Sequence, residues 1–354
     1  MVLNIDNIKL SPSTGDELRG NCPFCNDSKG HLYVNKAKGV FYCHRCGTGG
    51  RIGSSYNVDV FKIKRNLATA HTTIHKIDVG TINKAYNALL TVLDLSAEHY
   101  KHLIQERKLT TAQIYKKGYR TLPDNSRIKI ASKVAESTKL YGVPGFYKFK
   151  GKKWCLAGPE GLLIPVRDFN DNIWGMQIRL DNPKYDMRYC WLSSADRPDK
   201  KRPAGTGANS VYHVAKAGKG SIRRVWITEG PLKGDVASYL IGETFICIPG
   251  VNAWRKSGLV KDLVKNGIKE AIIAYDADSF TNVNVAKAAN NLYMALNEAR
   301  IKAAFAVWVM DKGKGIDDML QAGHKPEIIS FKEWRKKIGF KGQLPHPIEG
   351  GACD

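Results

Sequence analysis

Residues 224–248 have the sequence RVWITEGPLKGDVASYLIGETFICI, and this stretch decides the fold of the C-terminal part of the chain. Two apolar runs, at 224–228 and 244–248, have the composition of buried strands, and apolar residues at helical spacing lie between them. The alternation continues, because the sequence predicts further strands at 271–275 and 304–309 and further helices at 259–265 and 285–299. Strands that alternate with helices indicate a mostly parallel sheet with helical crossovers.

Acidic residues follow three of these predicted strands. Glu229 comes after the first, Asp276 and Asp278 after the third, and Asp317 and Asp318 shortly after the fourth. The carboxyl ends of parallel strands lie at one edge of a sheet, where ligands bind, so we expect these carboxylates to lie close together. They would repel each other unless a hard cation lay between them. The pattern therefore predicts a Mg²⁺ or Mn²⁺ site for phosphoryl or nucleotidyl chemistry.

The cysteines near the N-terminus have the spacing of a zinc site. Cys22 and Cys25 form one Cys-x-x-Cys pair, and Cys43 and Cys46 form a second, with seventeen residues between the pairs. This spacing is typical of a four-cysteine zinc ribbon, in which a short hairpin brings the two pairs together. The alternatives are a disulfide framework, which would call for a signal peptide, and a redox site, which needs only one such pair.

The charge of the chain indicates a polyanionic partner. The 354 residues include 55 Lys and Arg against 33 Asp and Glu, which gives a formal net charge of +22. No apolar run approaches the roughly 18–20 residues that span a bilayer, so we expect no membrane partner and a cytoplasmic location. Between residues 179 and 202, basic residues alternate with Tyr and Trp, a mixture that suits single-stranded nucleic acid or a nucleotide; a solvated loop is the alternative.

Three motifs carry a resemblance to a known family. The runs at 227–230 (ITEG), 275–278 (YDAD) and 313–320 (GKGIDDML) resemble the motifs of a toprim domain, the metal-binding module of DnaG-type primases and some topoisomerases. Upstream, residues 161–168 and 173–179 resemble the basic subdomain that precedes toprim in these primases. The runs at 229–233 and 314–318 are similar to those of toprim-bearing replication proteins of phages and mobile elements. The similarity covers most of residues 15–323 in the domain order of the family.

The resemblance implies an α/β (α+β multidomain) chain. We expect a zinc-ribbon β domain at 1–50, a linker at 51–80, a helical and β basic subdomain at 81–220, a toprim α/β domain with a mostly parallel sheet at 221–325, and a C-terminal tail at 326–354. It also implies a DNA primase, which makes short RNA primers on single-stranded DNA from ribonucleoside triphosphates. A replicative helicase on a separate chain is a possible partner, and the bacterial cytoplasm or a phage-infected cell is the expected location.

The resemblance also implies roles for individual residues. Glu229, Asp276 and Asp278 are the expected catalytic residues, and with Asp317 and Asp318 they would bind Mg²⁺ or Mn²⁺. The four cysteines would bind one structural Zn²⁺. The expected nucleotide and DNA contacts are Arg167, Arg179, Lys184, Arg188, Lys201, Arg202 and Lys233.

The chain departs from the family pattern at several positions. Its ribbon has four cysteines where bacterial primases usually include a histidine. Lys233 stands where bacterial primases have an aspartate, Gly315 replaces the first aspartate of the third motif, and Asp235 is a candidate to compensate. Two other functions therefore stay open: a toprim nuclease or topoisomerase, and a non-catalytic replication accessory that binds single-stranded DNA.

Overall fold

The computed structural model describes residues 2–13, 17–25, 27–36, 38–46, 48–53, 75–184, 187–195, 205–218 and 222–338. These residues form two compact units. The first unit takes its residues from 1–106, 110–165 and 172–209, and the second from 107–109, 166–171 and 210–354. Among the described residues, no helix combines the length and the apolar character that crossing a bilayer requires.

The first unit begins with a six-stranded sheet. Its strands β1–β6 are Val2–Leu3, Leu10–Pro12, Glu17–Gly20, Leu32–Asn35, Val40–Cys43 and Gly49–Ile52. The order across the sheet is β1-β6-β5-β4-β3-β2, with antiparallel pairing except between β1 and β6. Leu32 and Val34 of β4 alternate with more exposed residues and pack with Phe41 in a small core, as expected for a half-buried strand. The predicted N-terminal β domain is confirmed.

The rest of the first unit combines four helices with a second sheet. The helices α1–α4 are Val79–Val92, Ala97–Gln105, Thr111–Lys117 and Arg127–Ala135, and the strands β7–β12 are Arg120–Leu122, Phe146–Phe149, Lys153–Leu156, Gly161–Arg167, Ile173–Lys184 and Met187–Trp191. Asp78, Ser96 and Thr110 cap the first three helices by accepting backbone N–H groups. The sheet order is β12-β11-β10-β7, and β8 pairs with β9 alone.

The second unit is built around a six-stranded, mostly parallel sheet. Its strands β13–β18 are His213–Ala215, Arg224–Glu229, Phe245–Ile248, Glu270–Ile273, Lys302–Val307 and Glu327–Ile329, and its helices α5–α10 are Pro231–Ile241, Trp254–Ser257, Leu259–Lys265, Val283–Glu298, Ile316–Gln321 and Phe331–Lys337. The order is β13-β15-β14-β16-β17-β18. The four central strands are parallel, and only the two edge strands are antiparallel. The predicted parallel sheet is confirmed.

Close packing of α5 on β15 determines the position of the first acidic motif, which contains Glu229. Gly234 in α5 faces Cys247 of β15 so closely that a Cβ at position 234 would overlap the Cys247 Sγ. Both residues are buried, and Pro231 begins the helix directly after Glu229 and Gly230. The missing side chain of Gly234 therefore allows the helix to approach the sheet.

The predicted linker and tail lie only partly within the described residues. Residues 54–74 of the linker and 339–354 of the tail are outside them. In the remaining part of the predicted tail, β18 pairs with β17, and Trp334 of α10 is 1% exposed and stacks on Phe305 with 4.3 Å between ring centroids. Residues 327–337 thus extend the fold of the second unit.

Candidate functional site

The four cysteines of the ribbon form a site for one metal ion. Their Sγ atoms all lie within 4.8 Å of one another, with 3.8 Å between Cys22 and Cys46 and 4.0 Å between Cys25 and Cys43. A tetrahedral Zn²⁺ with Zn–S bonds of about 2.3 Å needs S···S separations of about 3.8 Å. Burial and the neighbouring thiols raise the pKa of Cys25 to about 12, so a bound cation would be needed to hold Cys25 as a thiolate. The residues fit Zn²⁺.

A buried carboxylate, that of Asp27, stabilises the loop beside the first cysteine pair. Asp27 is 2% exposed and accepts hydrogen bonds from the backbone N–H of His31 at 2.6 Å and from Arg45 at 3.3 Å. Burial alone would raise the pKa of Asp27, but the hydrogen bonds from His31 and Lys29 lower it to about 2. The Cys-x-x-Cys pattern did not reveal this residue, because its partners come from both sides of the hairpin.

The first carboxylates of the acidic motifs lie at the carboxyl ends of neighbouring strands. Glu229 is the last residue of β14, and Asp276 and Asp278 follow β16, which pairs with β14 in parallel. Burial and the carboxylates of Asp276 and Asp278 raise the pKa of Glu229 to about 7, against the opposing effect of Lys233. The parallel topology therefore places these three carboxylates close enough to interact electrostatically, as the sequence predicts.

A lysine lies among these carboxylates. The Lys233 side chain extends from the first turn of α5, is 20% exposed, and forms an ion pair and hydrogen bond with Asp276. Burial alone would lower the pKa of Lys233, but Asp276, Glu229 and Asp317 outweigh it and raise the pKa. The sequence predicted a nucleotide or DNA contact here, whereas the described structure shows the ammonium group paired within the acidic site.

The third acidic motif lies at the start of α9. Asp317 is 1% exposed, and its Oδ2 accepts a hydrogen bond from Arg107 Nη1 at 3.0 Å. Its Oδ1 is buried and has no hydrogen-bond partner among the described residues. Asp318 is exposed and caps the helix, with its Oδ2 accepting the Gly315 N–H at 3.2 Å. Only Asp317 therefore turns its carboxylate inward.

Arg107 and Lys314 are members of this site that sequence reasoning did not assign. Arg107 and Asp317 are 210 residues apart, so no local pattern could link them. The Lys314 Nζ lies 3.6 Å from an Asp278 oxygen, and the side chain of Lys314 is 63% exposed. Lys314 directly precedes Gly315-Ile316-Asp317, and this position in the third motif is a sequence signal for its place in the site.

Asp235 does not compensate for the missing aspartate. Its Oδ1 lies 3.0 Å from His213 Nε2, and both side chains are 1% exposed. His213 Nδ1 in turn accepts the backbone N–H of Arg167 at 2.9 Å. Asp235 thus belongs to a buried pair between α5 and β13, and the expectation that it joins the acidic site is wrong.

The residues of the acidic site suit a divalent cation in their chemistry, although three of the carboxylates already have basic partners. Within the described ranges, only the four cysteines bring three or more possible metal ligands within 4.8 Å of one another. Asp276, Asp278 and Asp317 each have a basic partner on the protein. The raised pKa of Glu229 and the unsatisfied buried oxygen of Asp317 nevertheless show negative charge that a cation would stabilise.

Among the described residues, the predicted basic contacts lie on β10, β11, β12 and α5. Arg167 donates from Nη1 to the Asp171 carbonyl at 3.0 Å, which ties it to the turn after β10. Arg188 is exposed on β12. Arg179, in β11, lines a cavity of about 550 Å³. The side chain of Lys184 and all of Lys201 and Arg202 lie outside the described residues.

A histidine and an aspartate share the cavity of Arg179. His99 Nε2 lies 2.7 Å from Asp181 Oδ1, and His99 Nδ1 lies 2.8 Å from Thr121 Oγ1. Both ring nitrogens of His99 are therefore engaged, and Asp181 is held two residues beyond Arg179 on the same strand. Sequence reasoning did not single out His99, because its partners come from β7 and β11.

Comparison with known families matches two segments of the chain. Residues 3–78 match the CHC2 zinc finger, and residues 221–326 match a domain of unknown function, DUF3854. A comparison with curated protein sequences finds no match.

The fold resembles that of solved primase domains. The zinc-binding and RNA polymerase domains of the Aquifex aeolicus primase superpose with a TM-score of 0.53 at 15% identity, over 94% of this chain and 83% of that one. This chain has the fold of a DnaG-type primase. The RNA polymerase domain of Mycobacterium tuberculosis primase DnaG (TM-score 0.48, 16% identity, 68% of this chain, 78% of that one) and a DNA primase domain from Pseudomonas aeruginosa (0.47, 14%, 72%, 77%) are also similar.

The primase-type fold confirms the order of ribbon and α/β core that the motifs predicted. The ribbon brings together four cysteine sulfur atoms that could bind one metal ion without a histidine, those of Cys22, Cys25, Cys43 and Cys46. The similarity to phage and mobile-element proteins stays a prediction, as do the exact domain boundaries and the catalytic and binding roles of individual residues.

Proposed function

We propose that the chain is a DNA primase that starts short RNA primers on single-stranded DNA from ribonucleoside triphosphates. The main support is the convergence of Glu229, Asp276 and Asp278 at the carboxyl edge of a parallel sheet, within a primase-type fold. Carboxylates gathered at this edge suit metal-dependent nucleotidyl transfer. The toprim assignment of residues 221–325 belongs to the same proposal.

Glu229, Asp276 and Asp278 are the groups that would hold Mg²⁺ or Mn²⁺, with Asp317 and Asp318 as further candidates. A bound divalent ion supplies charge neutralisation for the attacking 3′-oxygen and the leaving pyrophosphate. The protein supplies the positioning: Arg107 orients Asp317 through the 3.0 Å hydrogen bond, and Lys233 orients Asp276. Such fixed charges reduce the reorganisation that the transition state requires.

The basic residues would bind the polyanionic substrates. Arg179 and Arg188 lie on adjacent strands of one sheet, and Arg179 pairs in register with Tyr189, which offers a ring beside a guanidinium group. Guanidinium groups and rings together bind phosphates and bases. The remaining candidates for these contacts are Arg167, Lys184, Lys201, Arg202 and Lys233. The zinc ribbon would contact the single-stranded template, and a helicase, where one takes part, would be a separate chain.

Primer synthesis on single-stranded DNA with labelled ribonucleotides tests the proposal. Asp276→Asn keeps the shape of the side chain and removes its charge, and we expect at least about a hundredfold loss of product. Asp311→Asn is the matched control, because Asp311 is an exposed acidic residue of the same unit and should leave the yield unchanged. Equal product from wild type and Asp276→Asn would contradict the assignment.

One observation favours a non-catalytic accessory as the second candidate. Three of the carboxylates are already paired with Lys233, Lys314 and Arg107, which reduces the attraction for cations. A chain with this function would bind single-stranded DNA without metal and incorporate no nucleotide. In both cases phosphate contacts predict affinity that falls steeply with salt.

A further inference from the structure

Two residues that depart from the family pattern, Lys233 and Gly315, lie next to each other in the structure. Lys233 is on the first turn of α5, and Gly315 immediately precedes α9. A Cβ at position 315 would lie 3.0 Å from Lys233 Cε and 3.1 Å from Lys233 Nζ. A side chain at position 315 would therefore crowd the end of the Lys233 side chain, so glycine at 315 leaves room for the lysine.

The same space contains the buried carboxylate of Asp317. Its Oδ1, which has no hydrogen-bond partner among the described residues, lies 2.5 Å from the place where a Cβ of residue 315 would be. The Lys233 ammonium thus lies beside Asp317, is paired with Asp276, and is attracted electrostatically by Glu229. One protein cation stands among carboxylates contributed by three separate segments.

We propose that the Lys233 ammonium is a built-in cation of the acidic site, so that the site binds a single divalent ion, with Glu229 and Asp278 as its first ligands and Asp276 shared between that ion and Lys233. The inference rests on the proposed function for the use of that ion. Asp276 is paired with Lys233 and Asp317 with Arg107, whereas Asp278 is paired only with the largely exposed Lys314, and Glu229 has no ion-pair partner among the described residues. A second divalent ion at Asp276 would meet direct repulsion from the ammonium group.

Counting bound Mn²⁺ on the zinc-loaded full chain tests the proposal without reference to activity. Electron paramagnetic resonance of free Mn²⁺ and isothermal titration give the number of ions, and zinc is measured separately. We expect one Mn²⁺ on the wild type and two on Lys233→Asp, in which a carboxylate replaces the ammonium. Lys233→Met, which removes the charge and adds no ligand, should bind its Mn²⁺ about tenfold more tightly or better.

Lys302→Asp is the matched control, because it makes the same change of charge at an exposed residue at the amino end of β17, away from the acidic site, while Lys233 stays in place. This variant should still bind one Mn²⁺ ion. Circular dichroism and zinc content show whether each variant is folded, and the wild-type count stands even where a variant fails to fold. None or two ions on the wild type, one on a folded Lys233→Asp, unchanged affinity in Lys233→Met, or two on Lys302→Asp would each overturn the proposal.

The two proposals fail separately. The expected ion counts without primer synthesis would refute the primase assignment and leave the role of Lys233 standing. Primer synthesis by a wild-type chain that binds two Mn²⁺ ions would refute the built-in cation and leave the primase assignment standing.

Discussion

Gly234→Ala should destabilise the second unit, and Cys247→Ala should restore it. The added Cβ would overlap the Cys247 Sγ, while its next neighbours, Cys247 Cβ at 3.4 Å and Phe245 Cβ at 3.5 Å, are at ordinary contact distance. The sulfur atom alone therefore forbids alanine at this position. Because α5 also carries Lys233, the packing of this helix on β15 affects the geometry of the acidic site.

The expected change in the free energy of unfolding is the balance of two opposing effects, the higher helix propensity of alanine and the overlap with the Cys247 sulfur atom. Replacing glycine by alanine inside a helix gains about 1 kcal/mol, whereas overpacking a buried contact costs about 3 kcal/mol at the upper end of its usual range. We expect Gly234→Ala to lower the free energy of unfolding by about 2 kcal/mol, and Cys247→Ala to lower it by about 1 kcal/mol through a small cavity. In the double variant the methyl group fills that cavity, and stability should return to within about 0.5 kcal/mol of wild type.

Urea unfolding of the four proteins measures this cycle, and hydrogen exchange over residues 231–248 localises the effect to α5 and β15. The expected coupling between the two substitutions is about 3 kcal/mol in the stabilising direction. Additive effects of the two substitutions would refute the reasoning, since they would show that the sulfur atom and the added methyl group do not compete for the same space.

Arg107→Met should lower the free energy of unfolding by about 3 kcal/mol in urea, because it leaves the buried Asp317 carboxylate without its guanidinium partner; Arg107→Lys should recover part of the loss. Cys43→Ser should reduce the zinc content of the purified chain and the exchange protection of the ribbon strands, and full zinc retention would contradict the four-cysteine site. Hydrogen bonds from Thr81 lower the pKa of the exposed Asp78, so its contribution to α1 is present at neutral pH and is lost as pH falls through that lowered pKa. Hydrogen exchange of α1 should show this loss in wild type, whereas Asp78→Asn should remove the pH dependence.

Patterns that are local in the chain predicted much of the fold. The alternation of apolar runs and helical spacing predicted the parallel sheet, and the order β13-β15-β14-β16-β17-β18 contains its four central strands side by side. Ser96 and Thr110 cap α2 and α3, as Ser and Thr commonly do at the residue before a helix. The two edge strands were not predicted, because β13 and β18 have only three residues each and carry little periodicity.

The candidate site was predictable in its members and not in its pairings. Strand ends in a parallel sheet must meet, so the gathering of Glu229, Asp276 and Asp278 followed from sequence alone. The burial of Asp317, in contrast, depends on Arg107, 210 residues away, and the fate of Asp235 depends on His213 on an edge strand. Packing of distant segments brings such partners together, and no regular spacing in the sequence marks them.

The sequence by itself determined the zinc ligands, the alternating architecture and the acidic residues, because ligand spacing and hydrophobic period are short-range properties of the chain. Only the tertiary structure decided what balances the acidic charge. Lys233 and Gly315 are far apart in the sequence, and each departs from the family pattern by itself. They lie next to each other only because α5 and the start of α9 come together in the fold. Electrostatic interactions depend on distance in space, and the fold alone sets that distance for residues far apart in the chain.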